Sequence, residues 1–291
     1  MLPEMLAQPA ADGAWLAPAK LNLMLKVVGR RADGYHLLQT VFQFIDRCDR
    51  LHFQLRADGR VQRGRGALGI DPAQDLVVRA ALALKARTGC DAGVDIDVDK
   101  CLPMGGGLGG GSSNAATTLL ALNQLWGLGL TQDQLAEIGL GLGADVPVFV
   151  RGQAAWAEGV GERLTPVTMP EPWYLVLTPP TAVATAAVFA DPALTRNSPP
   201  VKMADFIEGD EANDCLPVVL DHYPSVAEAF HWLEQQASAQ GSKARLTGTG
   251  GCVFAAFSAA QEAQQVAADA PAPWNAFVAR GRNRSPLFGP A

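Results

Sequence analysis

The chain has 291 residues, 48% of them hydrophobic, with a formal net charge of −6 and a pI near 5.2. That length and apolar content suit one large globular domain or two of ordinary size. The acidic balance, with no basic block, argues against a general nucleic-acid or membrane-surface role and leaves any anionic substrate to be held by local features.

In chain order, Leu21, Leu23, Leu25 and Val27 alternate with Asn22, Met24, Lys26 and Val28, which predicts a strand beginning after Pro18-Ala19-Lys20. Lys20 and Asn22 then share a face. Gly29 to His36 reads as a loop bearing the ring residues Tyr35 and His36. An extended region at Gln39 to Asp46 and an alternating strand through Leu51, Phe53 and Leu55 follow. Asp71-Pro72 is expected to open a helix that stops at Gly89. Val94 to Asp99 alternates apolar and acidic residues as a half-buried strand does.

The stretch Lys100-Cys101-Leu102-Pro103-Met104-Gly105-Gly106-Gly107-Leu108-Gly109-Gly110-Gly111-Ser112-Ser113 carries the strongest signal. So dense a run of glycine is tolerated where the backbone must take positive φ or let a ligand approach closely. Ala115, Leu119, Leu122 and Trp126 predict a helix stopped by Gly127 and Gly129, so the loop ends on a helix N-terminus, which favours an anion. Ser112 and Ser113 are positioned to cap that helix or to turn to a phosphate or its metal. G-x-G-x-x-G is satisfied, but the second strand of a dinucleotide fold is missing. No Lys-Ser/Thr closes a Walker loop, and neither H-R-D nor D-F-G occurs. A phosphate cradle is the reading that remains.

Beyond it, Thr131 and Gln134 fit a capping box, and Gly143-Ala144-Asp145-Val146-Pro147 ends the helix they open. The uncharged run from Trp173 to Ala190 is barely long enough to cross a membrane and is broken by Pro179-Pro180, so it reads as a strand and a loop. The second half then gives a strand at Tyr174 to Leu177, a helix at Ser225 to Gln240 with Ser225 and Glu228 as capping box, and strands at Ala244 to Thr247 and Cys252 to Phe257. A helix at Ser258 to Ala268 and a strand at Trp274 to Ala279 complete a β-α-β-β-α-β order. Thr247 to Gly251 is a second glycine-rich turn, and the proline-rich Thr195 to Val201 is a plain loop. Cys48, Cys90, Cys101, Cys215 and Cys252 are scattered without C-x-x-C spacing and read as reduced thiols of a cytosolic protein. The first basic residue is Lys20, unlike the basic start of a signal peptide.

Three stretches taken together, Pro18 to Leu23, Pro103 to Ser113 and Thr247 to Gly251, resemble the ordered motifs of the GHMP small-molecule kinase superfamily. Arg31 to His36, Gly143 to Phe149 and Gly159 to Glu162 resemble a branch whose alcohol substrate carries a cytidine diphosphate. The resemblance implies an α+β, two-domain GHMP kinase fold: residues 1–170 as a ribosomal-protein-S5-domain-2-like domain, residues 171–291 as a ferredoxin-like domain, and the active site in the cleft between them. It implies ATP with Mg²⁺ and a small-molecule substrate as ligands, with neither nucleic acid nor membrane as partner.

By position, Lys20 and Asp145 would be the catalytic pair, the run Pro103, Met104, Gly105, Gly106, Gly107, Leu108, Gly109, Gly110, Gly111, Ser112 and Ser113 the ATP phosphate loop, and Asp75 and Leu76 the adenine contact. Tyr35 and His36 would hold the cytosine ring, with Asn22, Lys100, Thr185 and Phe189 lining the rest of the substrate site. The Mg²⁺ would be held largely by the ATP phosphates, with Ser113 or a water as the protein's contribution, and no carboxylate ligand is evident. Two residues depart from the pattern: Asp75 stands where Asn is expected, and Gly251 replaces an Ala, a change read as harmless. Another small-molecule kinase of the superfamily, of homoserine or mevalonate type, is the alternative, as is a non-catalytic nucleotide-binding regulator. Retention of both Lys20 and Asp145 counts against the regulator.

Overall fold

The computed structural model describes residues 6–67, 69–207 and 212–289. Its frame is β2 (His36–Arg56), 21 residues long, whose one edge pairs with β1 (Trp15–Arg30) almost throughout. The other edge is shared, all antiparallel, by β5 (Ala155–Gly159), β10 (Asn275–Arg282) and β4 (Gly93–Asp99). β3 (Val61–Arg63) runs parallel to β4, and β6 (Arg163–Pro166) pairs with β5. β10 carries the sheet into the second half, where β7 (Trp173–Thr178), β8 (Arg245–Leu246) and β9 (Val253–Phe257) give the order β10-β7-β9-β8. Numbered within that half, this is the 4-1-3-2 antiparallel order of a ferredoxin-like unit, as the β-α-β-β-α-β pattern requires.

β1 begins six residues before the predicted Leu21, because Pro18 sits at a register shift where the ladder is already broken. Leu21 to Leu25 are buried on both faces, so this strand is not half-solvated. The two extended regions expected between Gln39 and Leu55 are one strand. Arg47 to Arg50 interrupt the apolar alternation, yet Asp49 is fully buried because backbone N–H groups reach it from outside the sheet.

Helices flank the sheet. Asp71-Pro72 opens only a single turn at Pro72–Gln74, and Asp75, extended at ψ 133°, caps α1 (Leu76–Thr88) by accepting from Val77 N at 3.1 Å. α2 (Gly110–Leu125) begins earlier than expected, capped by Gly109 without a side-chain bond, so Ser112 and Ser113 lie inside its first turn. Thr131 and Gln134 form the predicted box on α3 (Gln132–Leu140). α4 (Val146–Arg151) was not anticipated: its first five residues are all buried, and a helix apolar all round shows no period.

After β7 come α5 (Thr185–Ala190), α6 (Met203–Ile207), α7 (Leu216–His222) and α8 (Pro224–Ser238), then α9 (Ala260–Ala268) between β9 and β10. The Ser225–Glu228 box does not form. Pro224 takes the first helical position, where its fixed φ suits the helix and its missing N–H costs nothing, so Tyr223 becomes the cap. No described helix is long and apolar enough to cross a membrane.

One core joins the first-half sheet to α1, α2, α3 and α4, with Leu119 and Phe149 at its centre. A second gathers α7, α8 and α9 on β7 and β9 and takes in Leu25 and Val27 of β1. A third joins Leu21, Met24 and Ile45 to Tyr174 and Phe254, and there Tyr174 Oη donates to the buried Gln43 at 2.7 Å. Leu119 is fully buried, so Leu119→Ala is expected to destabilise the protein by ~2–5 kcal/mol, read as a lowered urea midpoint at unchanged slope.

Candidate active site

A cleft of about 970 Å³ runs from the turn after β1, past the glycine loop, to α1. At its centre is Lys20, 2% exposed, its backbone N–H donating to Leu108 O at 3.0 Å. Its Nζ donates to Asn22 Oδ1 and, at 3.0 Å, to Gly107 O, and lies 3.5 Å from Asp145 Oδ2. A buried ammonium is stable only when oxygens surround it; Asn22 on the same strand, the distant glycine loop and the residue preceding α4 supply them. Asn22 Nδ2 in turn donates to Thr40 Oγ1 at 2.8 Å, which fixes the amide with its oxygen toward Lys20. Asp145 ends the α3–α4 connection and immediately precedes α4, not simply a turn after a helix.

The two glycine-rich segments lock onto each other. Thr247 Oγ1 donates to Gly107 O at 3.1 Å and accepts from Asn22 N at 3.1 Å, while Cys252 N donates to Gly106 O at 3.1 Å. Gly107 has φ +75°, and a Cβ there would stand 2.1 Å from Thr247 O. Gly251 has φ +94°, with Gly105 O 2.7 Å from any Cβ. The departure at Gly251 is thus not incidental: this backbone is one that an Ala would strain. Asn213 holds the second turn, its Nδ2 donating to Leu246 O and Gly248 O at 2.9 Å each.

The first α-helical bond of α2 is Ser113 N to Gly109 O at 2.8 Å, which leaves the N–H groups of Gly110, Gly111 and Ser112 for an anion. Pro103 to Ser112 line the cleft, but Ser113 does not: it is fully buried, its Oγ without a partner, because the earlier helix start turns it inward. Asn114, unmarked by the sequence reading, lines the cleft instead, with Oδ1 unpartnered. Among the described residues no three His, Cys, Asp or Glu converge on a metal position.

Lys100 stands where β4 meets the loop, its Nζ 3.5 Å from where a Gly110 Cβ would be, and pairs with Asp49. Asp49 Oδ1 also accepts from Cys101 N at 2.7 Å and Leu102 N at 2.8 Å, so one carboxylate sets both the lysine and the entry to the loop. No spacing in the sequence singles it out. Asp75 and Leu76 line the cleft by α1, but both carboxylate oxygens of Asp75 are engaged, one by Val77 N and the other by Arg63 Nη1 at 2.5 Å. Asp75 therefore serves as a helix cap and an ion-pair partner here.

At the other end Tyr35 is 63% exposed on the loop between β1 and β2. His36 stacks on Phe189 of α5, centroids 4.9 Å apart and planes 20° from parallel. Thr185 shares a hydrogen bond of 2.8 Å with Thr249 of the second glycine turn. Burial, then the charges of Arg196 and Arg30, hold the His36 pKa below its ordinary value, so the ring is neutral near pH 7. Asn22, Tyr35, His36, Lys100, Thr185 and Phe189 all reach this one cleft. Arg196, in the loop read as featureless, touches His36 from behind.

Comparison with known proteins gives the family. The family described as GHMP kinases N terminal domain matches residues 75–153, and that described as GHMP kinases C terminal matches residues 202–276. The 4-diphosphocytidyl-2-C-methyl-D-erythritol kinase of Pseudomonas paraeruginosa is 57% identical over 93% of this chain and 94% of its own. The enzyme of the same name from Nitrosococcus oceani is 54% identical over 94% of this chain and 96% of its own. A crystal structure of 4-(cytidine 5'-diphospho)-2C-methyl-D-erythritol kinase superposes with a TM-score of 0.78 at 32% identity, covering 92% of this chain and 98% of that one. The chain belongs to the GHMP kinases, and within them to the family of these 4-diphosphocytidyl-2-C-methyl-D-erythritol kinases.

The cradle is tested at its tightest point. Gly107→Ala forces a Cβ against Thr247 O, so ATP affinity measured by calorimetry should fall at least about ten-fold in a variant whose circular dichroism is unchanged, about 1.4 kcal/mol or more.

Proposed function

We propose that this chain transfers the γ-phosphoryl group of ATP to the 2-hydroxyl of 4-diphosphocytidyl-2-C-methyl-D-erythritol, a step of the non-mevalonate route to isoprenoid precursors. The observation that carries the reading is the Lys20–Asp145 pair, 3.5 Å apart, in one cleft with an anion cradle and a stacked aromatic pocket. The phosphates would lie against the free N–H groups of Gly110, Gly111 and Ser112, and Lys100 adds a positive charge beside them. The substrate's base would lie at Tyr35, His36 and Phe189, which presents its alcohol to the centre. We divide the chain into two domains at 170/171, a reading supported by the link from β6 to β7, after which the ferredoxin-like strand order begins.

Phosphoryl transfer depends mostly on positioning and on stabilising charge. Lys20 holds Asp145 by Oδ2, which leaves Oδ1 to accept the proton of the attacking hydroxyl. The same ammonium stabilises the oxygen as it gains negative charge, and its burial strengthens that effect. ATP would bring Mg²⁺, for which hard oxygen ligands are needed. Ser112 Oγ, not the inward-turned Ser113, is the hydroxyl on the cleft wall that fits it, with the phosphates supplying most other positions. The chemistry such an ion would supply is neutralisation of phosphate charge during the transfer.

A coupled ADP-release assay with the cytidine diphosphate alcohol tests the reading, with ³¹P NMR locating the new phosphate. Turnover on that alcohol and none on homoserine or mevalonate is expected; the reverse pattern would discard it. Asp145→Asn should lower kcat by about 10²–10⁴ while leaving the ATP Kd within a few-fold, because the amide keeps the size but cannot take the proton. Near-normal turnover in that variant removes Asp145 from the chemistry.

A further inference from the structure

Arg196 follows α5 and meets His36 across 160 residues of sequence. Its Nε donates to His36 Nε2 at 3.3 Å, its Nη1 to Leu194 O at 3.1 Å, and its Nη2 to Phe189 O at 2.9 Å and Asp191 O at 2.6 Å. Three carbonyls therefore fix the guanidinium plane and aim Nε–H at the imidazole. A guanidinium has no acceptor, so His36 Nε2 must offer its lone pair, and in a neutral ring the proton then resides on Nδ1. Through Phe189 O the same side chain also anchors the residue on which His36 stacks. His36 lines the cleft and Arg196 does not, so Arg196 acts on a ligand only through its neighbours.

We propose that Arg196 is a positioning residue for base selection: by holding His36 Nε2 as an acceptor, it leaves Nδ1–H as the ring's one donor and so matches the site to a pyrimidine whose N3 is a lone pair. Cytosine offers that lone pair and uracil offers N3–H, which would face a donor with a donor. A site whose polar group is left unpaired rejects the wrong ligand strongly. Without Arg196 the imidazole can exchange its proton between the two nitrogens and accept from N3–H as readily as donate. The inference rests on the cytidine reading proposed above.

The test compares kcat/KM on the cytidine substrate and its uridine analogue for wild type, Arg196→Ala and Arg196→Lys. Wild type should prefer cytidine. Arg196→Ala should lose at least ten-fold of that preference, chiefly through KM for the cytidine substrate with kcat within a few-fold, and Arg196→Lys, which keeps one charged donor, should recover part of it. A wild type that uses both bases equally overturns the cytidine reading and this inference with it. A discriminating wild type whose preference survives in Arg196→Ala, even with lower activity on both bases, overturns this inference alone. Because the alanine variant could fold poorly, ¹⁵N-histidine NMR of the wild-type protein, with His36→Gln for assignment, reads the tautomer directly. An unprotonated Nε2 at neutral pH supports the proposal, and a protonated one overturns it.

Discussion

A lysine side chain taken out of water must be met by oxygens, and the site of this protein is arranged around that need at Lys20. Leaving its ammonium buried and unpaired would cost on the order of several kcal/mol, so the positions of Asn22, Gly107 O and Asp145 are linked to one another through it. Each comes from a different layer of the fold: β1 itself, the glycine loop, and the connection from α3 to α4. A shift in any one leaves the others imperfectly satisfied. This is how Lys20 and Asp145 are held side by side in a wide cleft.

The same linkage ties the two halves together. Thr247 receives Asn22 N and gives its proton to Gly107 O, so the second-half turn completes the first-half loop. Close approach of two backbones is possible only where no Cβ intervenes, which explains glycine at 107 and 251 together. Thr185 bonds Thr249 on that same turn, so α5 is tied to the two glycine segments as well.

Buried carboxylates and carbonyl-bound guanidiniums perform the less visible support. Asp49 gathers Lys100 and two backbone N–H groups at the entrance to the loop, and Arg63 occupies Asp75. Both ion pairs cap a segment as well as balancing a charge, so their effect is geometric. A preorganised site depends on such a supporting layer, whose members do not touch the ligand.

Features that depend on local chemistry are legible in the residues alone. The glycine run announced a backbone needing positive φ, the Thr131 box fixed the start of α3, and the alternation of Val94 to Asp99 marked β4. The strands of the second half and its helices α8 and α9 were legible because they carry clear periods, whereas α5, in a stretch that reads as strand and loop, and α6 and α7 are too short to show one; the three motifs together resemble those of the kinase family. That Ser112 rather than Ser113 faces the cleft follows from the folded chain, since one residue of helix start turns a side chain by about 100°. The folded chain alone revealed Asp49 and Arg196, whose partners lie far away in sequence and leave no local pattern. It alone joined the two extended regions between Gln39 and Leu55 into β2, because a buried Asp49 breaks the hydrophobic alternation while its hydrogen bonds are supplied from another segment of the chain.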